Sequence, residues 1–97
     1  MRTMVQVTVP VAAGNAAIKN GSLPKVIGET LEQLKPEAAY FFPDRNGART
    51  ILMVIDLKDP SDIPMVAEKF FMGFDAAVRM TPVMNAEDLK KGLSKVS

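Results

Sequence analysis

Two segments of the sequence share one helical pattern of apolar residues, and this repeat constrains the fold more than any other feature. In each segment the residues recur at i, i+3, i+4, i+7, i+8 and i+11, which is the stripe of an amphipathic α-helix. The two stripes are Leu23, Val26, Ile27, Thr30, Leu31 and Leu34, and Ile63, Val66, Ala67, Phe70, Phe71 and Phe74. We predict a helix on each, with Ser22 and Ser61 as N-terminal caps. The chain is then built from two similar halves.

Segments with the alternation of β-strands flank both helices. Four strands are predicted, at residues 4–9, 37–44, 48–57 and 76–82. Right-handed crossovers place both helices on one face of a four-stranded antiparallel sheet of order 4-1-3-2. The predicted fold class is α+β, a ferredoxin-like βαββαβ arrangement in a single domain over residues 1–97.

Two further segments complete this prediction. The stretch "AAGNAAIKNG" after the first strand is predicted as a connection with a short turn. Asn85 is placed to cap a short C-terminal helix that carries Leu89, Leu93 and Val96 on one side.

The dipeptide Asn46-Gly47 is the strongest hairpin signal in the chain, because a type I′ turn needs positive φ at both central positions. With these two residues as the turn, the register of the second and third strands is determined. The pairs predicted on the helix-packed face are Ala38 with Ile55, Tyr40 with Met53, and Phe42 with Ile51. Phe41 and Leu52 are then paired on the face away from the helices.

The predicted face away from the helices carries Phe41, Thr50, Leu52 and Val54. Leaving large apolar side chains in water forgoes roughly 1.5–3 kcal/mol each, against a typical total stability of about 5–15 kcal/mol. The short C-terminal helix is too small to cover a four-stranded sheet. We therefore expect a homodimer, or a higher oligomer, in which these four residues meet the sheet of a second copy about a two-fold axis.

Polar residues of the first and fourth strands should join this face, since they are costly on the helix-packed side. An apolar lining with a few polar groups is how small-ligand pockets are often built. The predicted lining is Gln6, Thr8, Phe41, Asp56 and Arg79. Arg79 and Asp56 are the expected anchors of a ligand, and the alternative is that they form an ion pair or a solvated rim.

Composition excludes several classes of function. The net charge is +1, which is too small to attract a phosphate backbone or an anionic membrane surface. No apolar run reaches the length of a membrane span. The chain has no Cys and no His, so thiolate metal sites and the usual haem ligand are absent. We therefore expect no metal, no cofactor, no nucleic-acid partner and no membrane partner. The absence of cysteine agrees with a cytoplasmic location, which we expect for this protein.

Three stretches, "RTILMVIDLKDPSDIP", "VAEKFF" and "VRMTPVMNAEDL", resemble small bacterial members of the dimeric α/β-barrel superfamily. In that superfamily two ferredoxin-like protomers enclose a cavity between their sheets. The resemblance implies a homodimer around a small organic molecule. Characterised relatives include haem-degrading and cofactor-independent monooxygenases, small-molecule isomerases and dye-decolourising peroxidases, but this chain has no His to ligate haem iron.

The functional hypothesis from the sequence is a homodimer that binds a small organic ligand between its two sheets. One alternative is a cofactor-independent monooxygenase or isomerase, so it stays open whether the protein is an enzyme. A second alternative is a ligand-sensing regulatory module with the same βαββαβ order. An RNA-recognition domain is disfavoured, because "VQVTV" and "TILMVI" lack the aromatic residues that stack on bases.

Overall fold

Over the residues that the structure describes, the chain folds into four strands and four α-helices, the first strand beginning at its second residue. The computed structural model describes residues 1–96. Its elements are β1 (Arg2–Val9), α1 (Val11–Lys19), α2 (Ser22–Leu34), β2 (Ala38–Pro43), β3 (Arg49–Asp56), a 3₁₀ turn (Pro60–Asp62), α3 (Ile63–Phe74), β4 (Ala77–Pro82) and α4 (Ala86–Leu93). The four strands lie within two residues of their predicted bounds.

The strands form one antiparallel sheet in the order β2-β3-β1-β4. Read from its other edge this is the order 4-1-3-2 that the sequence predicts, and the α+β class is confirmed. The order of elements differs in detail from βαββαβ, because two helices, α1 and α2, lie between β1 and β2. The fold is compatible with a ferredoxin-like arrangement.

The helix α1 occupies the segment that was predicted as a connection, so that prediction is wrong. Alanine has the highest helix propensity, and "VAAGNAAIK" contains four alanines, which outweigh the cost of its single glycine. Pro10 precedes the helix with φ −54°, a value already suited to a helix start. The helix ends before Gly21, whose φ of +80° lets the chain turn into α2.

The core lies between one face of the sheet and the stripes of α2 and α3. Val5 and Val7 of β1 and Met53 of β3 are almost fully buried there, together with Phe70 of α3. Thr30, at a stripe position of α2, is also buried, and its hydroxyl donates to the carbonyl of Val26 at 2.7 Å. The repeated stripe therefore marks the buried sides of these two helices, except at Ile63 and Phe71 of α3, which are each 40% exposed.

The predicted caps are confirmed at one helix only. Asn85 accepts from the backbone N–H of Asp88 at 2.8 Å, and the Asp88 carboxylate accepts from the backbone N–H of Asn85 at 3.1 Å, which is a complete capping box. Ser22 and Ser61 are not caps. Each instead donates its backbone N–H to a side chain two residues earlier, Asn20 at 2.8 Å and Asp59 at 2.9 Å.

The predicted register of the β2–β3 hairpin is wrong by one residue. Pro43 is paired with Arg49, and the backbone N–H of Asp44 donates to the carbonyl of Ala48, so the loop is Arg45–Gly47 and not a two-residue turn. Gly47 has φ +76°, as expected for a type I turn followed by a left-handed residue. Because side chains alternate, a shift of one residue moves every β2 side chain to the other face.

None of the helices in residues 1–96 combines the length and the apolar character that crossing a bilayer requires.

Candidate functional site

The outer face is the side of the sheet that points away from α2 and α3. Its side chains form three cross-strand rows, which run from β2 through β3 and β1 to β4. The rows are Ala38, Val54, Met4 and Thr81; Tyr40, Leu52, Gln6 and Arg79; and Phe42, Thr50, Thr8 and Ala77.

The β2 and β3 side of the outer face is apolar and open to solvent. Tyr40 is 63% exposed and Phe42 is 41% exposed, while Leu52 and Val54 are half-buried beside them. Met4 of β1 extends the same surface. Large apolar side chains that adjoin one another at a surface are typical of an interaction or ligand-binding site.

The β1 and β4 side of the outer face is polar. Gln6 lies directly across from Arg79, and Thr8 lies in the next row. Arg79 is exposed, and none of the ion pairs found among residues 1–96 includes its guanidinium. A guanidinium with its donors uncommitted is suited to bind a planar anion such as a carboxylate. Three of the five residues predicted as ligand contacts, Gln6, Thr8 and Arg79, are thus brought together.

Asp56 lies on the outer face but at the end of β3, paired in register with Arg2. From Arg2 to Gln6, which faces Arg79, β1 advances about 13 Å, so the two predicted anchors are not neighbours. The Asp56 carboxylate accepts instead from the backbone nitrogen of Met1 at 2.8 Å. This hydrogen bond and the positive charge beside it lower the pKa of Asp56. The alternative, an Arg79–Asp56 ion pair, is not found among residues 1–96 either.

Phe41 lies on the opposite face from the one predicted, across from Ile51. It lines an apolar cavity of about 340 Å³ between the sheet edge and the first two helices, with Ile18, Leu23 and Ile27 among the other lining residues. Phe41 is therefore neither an outer-face ligand contact nor part of an outer-face interface. The one-residue shift puts Tyr40 and Phe42 in its place.

A signal for Tyr40 and Phe42 was present in the sequence. Asp at the first position and Gly at the fourth favour a type I turn, and Asp44 and Gly47 occupy these positions. The side chain of Asp44 accepts from the backbone N–H groups of Asn46 at 2.9 Å and Ala48 at 3.0 Å. The "DRNG" stretch thus fits the longer loop as well as the two-residue Asn46-Gly47 turn, and the observed register shows that the longer loop forms.

The other predicted interface residues, Thr50, Leu52 and Val54, share the outer face. Thr50 is only 2% exposed, and its hydroxyl donates to the carbonyl of Ala48 at 3.1 Å. It has almost no surface left to bury against another molecule. Leu52 and Val54 retain such surface and remain the central apolar residues of this face.

A wide concavity of about 840 Å³ lies at the Asp56 end of the sheet. Arg2 forms ion pairs there with Glu37 and, at 3.5 Å, with Asp88 of α4. The hydrogen bond that the Arg2 guanidinium donates to the Glu37 carboxylate raises the pKa of Arg2. Residues 1–96 contain no group of three acidic, His or Cys side chains placed to hold a metal ion.

Comparisons with protein-family models, with curated proteins and with solved structures give no match to this chain.

Proposed function

We propose that two copies of this protein pack through their outer faces and enclose a small organic anion, in the manner of a dimeric α/β barrel. The observation that carries the proposal is the row Tyr40, Leu52, Gln6 and Arg79. This row has an exposed aromatic residue, Tyr40, at one end and Arg79 at the other, and the Arg79 guanidinium has no ion-pair partner among residues 1–96.

Burial of the apolar half supplies the energy for association. Tyr40 is 63% exposed and Phe42 is 41% exposed. Aromatic residues each bury about 150–250 Å² when they are fully covered. At about 25 cal/mol per Å² of buried area, covering these two side chains stabilises a complex with any partner that excludes water from them. A second copy of the same face has matching apolar residues, and two-fold symmetry is the commonest form of soluble oligomer.

The ligand class follows from the polar half. Arg79 offers a planar fork of N–H donors and Gln6 offers an amide beside it, which together suit a carboxylate or a similar anion. The adjacent Leu52 and Tyr40 would contact an apolar or aromatic body of the ligand. A small molecule with an anionic group and an apolar body meets both halves of the row.

The dimer is tested by native mass spectrometry at low and high micromolar concentration. We expect a dimer for the wild type and a monomer for Leu52→Glu, because a charge at the centre of the buried face would be desolvated. Met72→Glu is the matched control, since Met72 is 80% exposed on α3, away from the outer face. A wild-type monomer at high concentration would refute the dimer, as would equal dissociation of both variants.

The ligand site is tested with the anionic dye anilinonaphthalene sulfonate, whose fluorescence rises in apolar sites. Arg79→Ala should weaken dye binding by at least about tenfold, because a charge-assisted contact is lost. Arg45→Ala, which removes the same charge from the hairpin loop, and Phe41→Ala, on the other face, should leave binding unchanged. If either control weakens binding as much as Arg79→Ala, the dye site is not on the outer face and the ligand proposal fails.

A further inference from the structure

Phe41 lies on the core side of the sheet, and yet the core does not cover it. Its partner across β3, Ile51, is only 4% exposed, whereas Phe41 is 52% exposed. Pro43, which lies on the same side of β2, is also exposed. The helices therefore pack on the inner strands and leave the loop end of β2, an edge strand, open on the core side.

This open end of β2 forms one wall of the apolar cavity of about 340 Å³, which we call the edge pocket. Leu23 and Ile51 are its buried lining residues, and Ile18 of α1 and Ile27 of α2 line it opposite the strand. Ligand pockets typically have volumes of about 300–1,000 Å³ and are mostly apolar, with a few polar groups that orient the ligand. The edge pocket has this character at the lower end of the range, so it suits one small molecule.

Among the described residues that line the edge pocket, Arg49 alone carries a charge. Its guanidinium donates to the side-chain oxygen of Asn15 at 2.9 Å. The same side chain lies against Gly14, where an added Cβ would come within 2.9 Å of the guanidinium. The helix α1 thus holds Arg49 at the edge pocket through one hydrogen bond and through the space that a glycine leaves.

The Arg49 guanidinium keeps N–H donors for a ligand. Its partner Asn15 is neutral, and none of the ion pairs found in the described part of the chain includes Arg49. A guanidinium has five N–H donors and binds a carboxylate through two parallel hydrogen bonds. One exposed cation beside an otherwise apolar cavity therefore selects a ligand with an anionic end and an apolar remainder.

The form of the apolar remainder follows from the direction of the pocket. From Arg49 the lining continues along β3 to Ile51, about 7 Å further on. A narrow apolar gap then leads past Ile51 toward Met53 and Phe70. An unbranched alkyl chain can lie along this line, whereas the three-ring dye that tests the outer face is too broad for a pocket of this size.

We propose that the edge pocket binds a free fatty acid of medium chain length. Arg49 holds the carboxylate, and the alkyl chain lies beside Ile27 and covers Phe41. An esterified acyl chain brings no charge to Arg49, so the free acid is the expected form. The pocket lies within one protomer, on the opposite side of the sheet from the outer face, and the inference does not depend on the proposed dimer.

Methyl NMR spectroscopy locates the site, because the isoleucines of the chain divide between the edge pocket and other places. Ile18, Ile27 and Ile51 line the pocket, whereas Ile55 lies near the far end of β3 and Ile63 begins α3. Sodium octanoate is titrated into protein that carries labelled isoleucine methyl groups. We expect saturable shifts at the three pocket isoleucines and none at the other two. Shifts of similar size at all of them, or no saturable shift at millimolar octanoate, would overturn the inference.

The role of the charge is tested with Arg49→Gln, read by the same titration. Octanoate binding should weaken at least about tenfold, because a charge-assisted contact is lost. Arg79→Gln is the matched control, since it removes the same charge from the outer face and should leave the titration unchanged. Octan-1-ol, which has the same chain without the charge, should bind the wild type at least about tenfold more weakly than octanoate. Equal effects of the two variants, or equal binding of the two ligands, would overturn the inference.

A third variant tests the pocket without a change at Arg49. Ile18→Glu introduces a carboxylate at the rim, which repels the ligand or competes with it for the guanidinium, so octanoate shifts at Ile27 and Ile51 should be lost. The fold should be retained, because Ile18 is 45% exposed, and circular dichroism checks this. Ile63→Glu, at a position 40% exposed on α3, is the matched control and should bind octanoate normally. Normal binding by Ile18→Glu would overturn the inference.

The inference and the proposed function fail separately. If octanoate produces no saturable shift while the wild type is a dimer that Leu52→Glu dissociates, the inference is overturned and the face-to-face dimer stands. If the wild type is a monomer at high concentration and octanoate shifts the three pocket isoleucines, the dimer is refuted and the edge pocket stands.

Discussion

The carboxylate of Asp44 accepts a hydrogen bond from the backbone N–H of Ala48 at 3.0 Å, and this contact closes the β2–β3 loop. The same oxygen accepts from the N–H of Asn46 at 2.9 Å. The length of this loop decides which side chains of β2 reach the outer face. One carboxylate in a turn thus helps to place Tyr40 and Phe42 in the candidate site.

Removal of this acceptor should weaken the hairpin. We expect Asp44→Ala to lower the free energy of unfolding by about 1–2 kcal/mol, because two backbone donors lose their partner. Asp44→Asn keeps an oxygen acceptor at the same position and should recover most of the loss. Urea unfolding followed by circular dichroism measures both, and equal losses in the two variants would show that acceptor geometry is not what stabilises the loop.

Two helical glycines should respond differently to alanine. A Cβ at Gly28 of α2 meets open space, so Gly28→Ala should stabilise the protein by about 0.5–1 kcal/mol through helix propensity. A Cβ at Gly14 of α1 would lie 2.9 Å from the Arg49 guanidinium, which donates to Asn15 at 2.9 Å. Gly14→Ala displaces Arg49 and should therefore stabilise the protein less than Gly28→Ala does. Thermal unfolding of both variants checks the order, and a larger gain at Gly14 would contradict it.

Neighbouring phenylalanines of α3 should differ strongly in their contribution to stability. Phe70 is fully buried and its ring centroid lies 6.3 Å from that of Phe74, whereas Phe71 is 40% exposed. Phe70→Ala should cost about 3–5 kcal/mol, because it leaves a cavity in the core. Phe71→Ala should cost roughly 1 kcal/mol or less. Denaturant titration separates the two cases, and similar losses would mean that the assigned burial of this helix is wrong.

Acid should weaken the turn before α3 through Asp59. Its carboxylate accepts from the hydroxyl of Ser61 at 2.6 Å and from its backbone N–H at 2.9 Å, and these bonds lower the pKa of Asp59. A depressed folded-state pKa gives a contribution that is full above the unfolded pKa and is lost as the pH falls through the folded value.

The stability difference between the wild type and Asp59→Ala should therefore be constant near neutral pH and should shrink below about pH 4. Unfolding at a series of pH values measures it. Ser61→Ala, which removes one of the two donors, should reduce this pH dependence only in part. A difference that grows on acidification would contradict the assigned hydrogen bonds.

The sequence predicts best those elements whose pattern of apolar residues is compatible with only one arrangement. The stripes of α2 and α3 bury one side only, so periodicity alone locates them. The alternation in β1, with Val5 and Val7 buried and Gln6 half-buried, likewise has one reading. Three of the five predicted ligand contacts, Gln6, Thr8 and Arg79, come from such strands and do share a face.

The class of the fold and the strand order could be predicted from periodicity together with the right-handed crossover rule, and the cap at Asn85 could be predicted because it is a local hydrogen bond. The faces of β2 depend instead on the register of the folded hairpin. Its run Tyr40, Phe41 and Phe42 is apolar on both faces, so the pattern fits either register equally well, and the Arg45–Gly47 loop makes the choice. The separation of Asp56 from Arg79 was decided in the same way, because the distance between two strand positions depends on how the strands are paired.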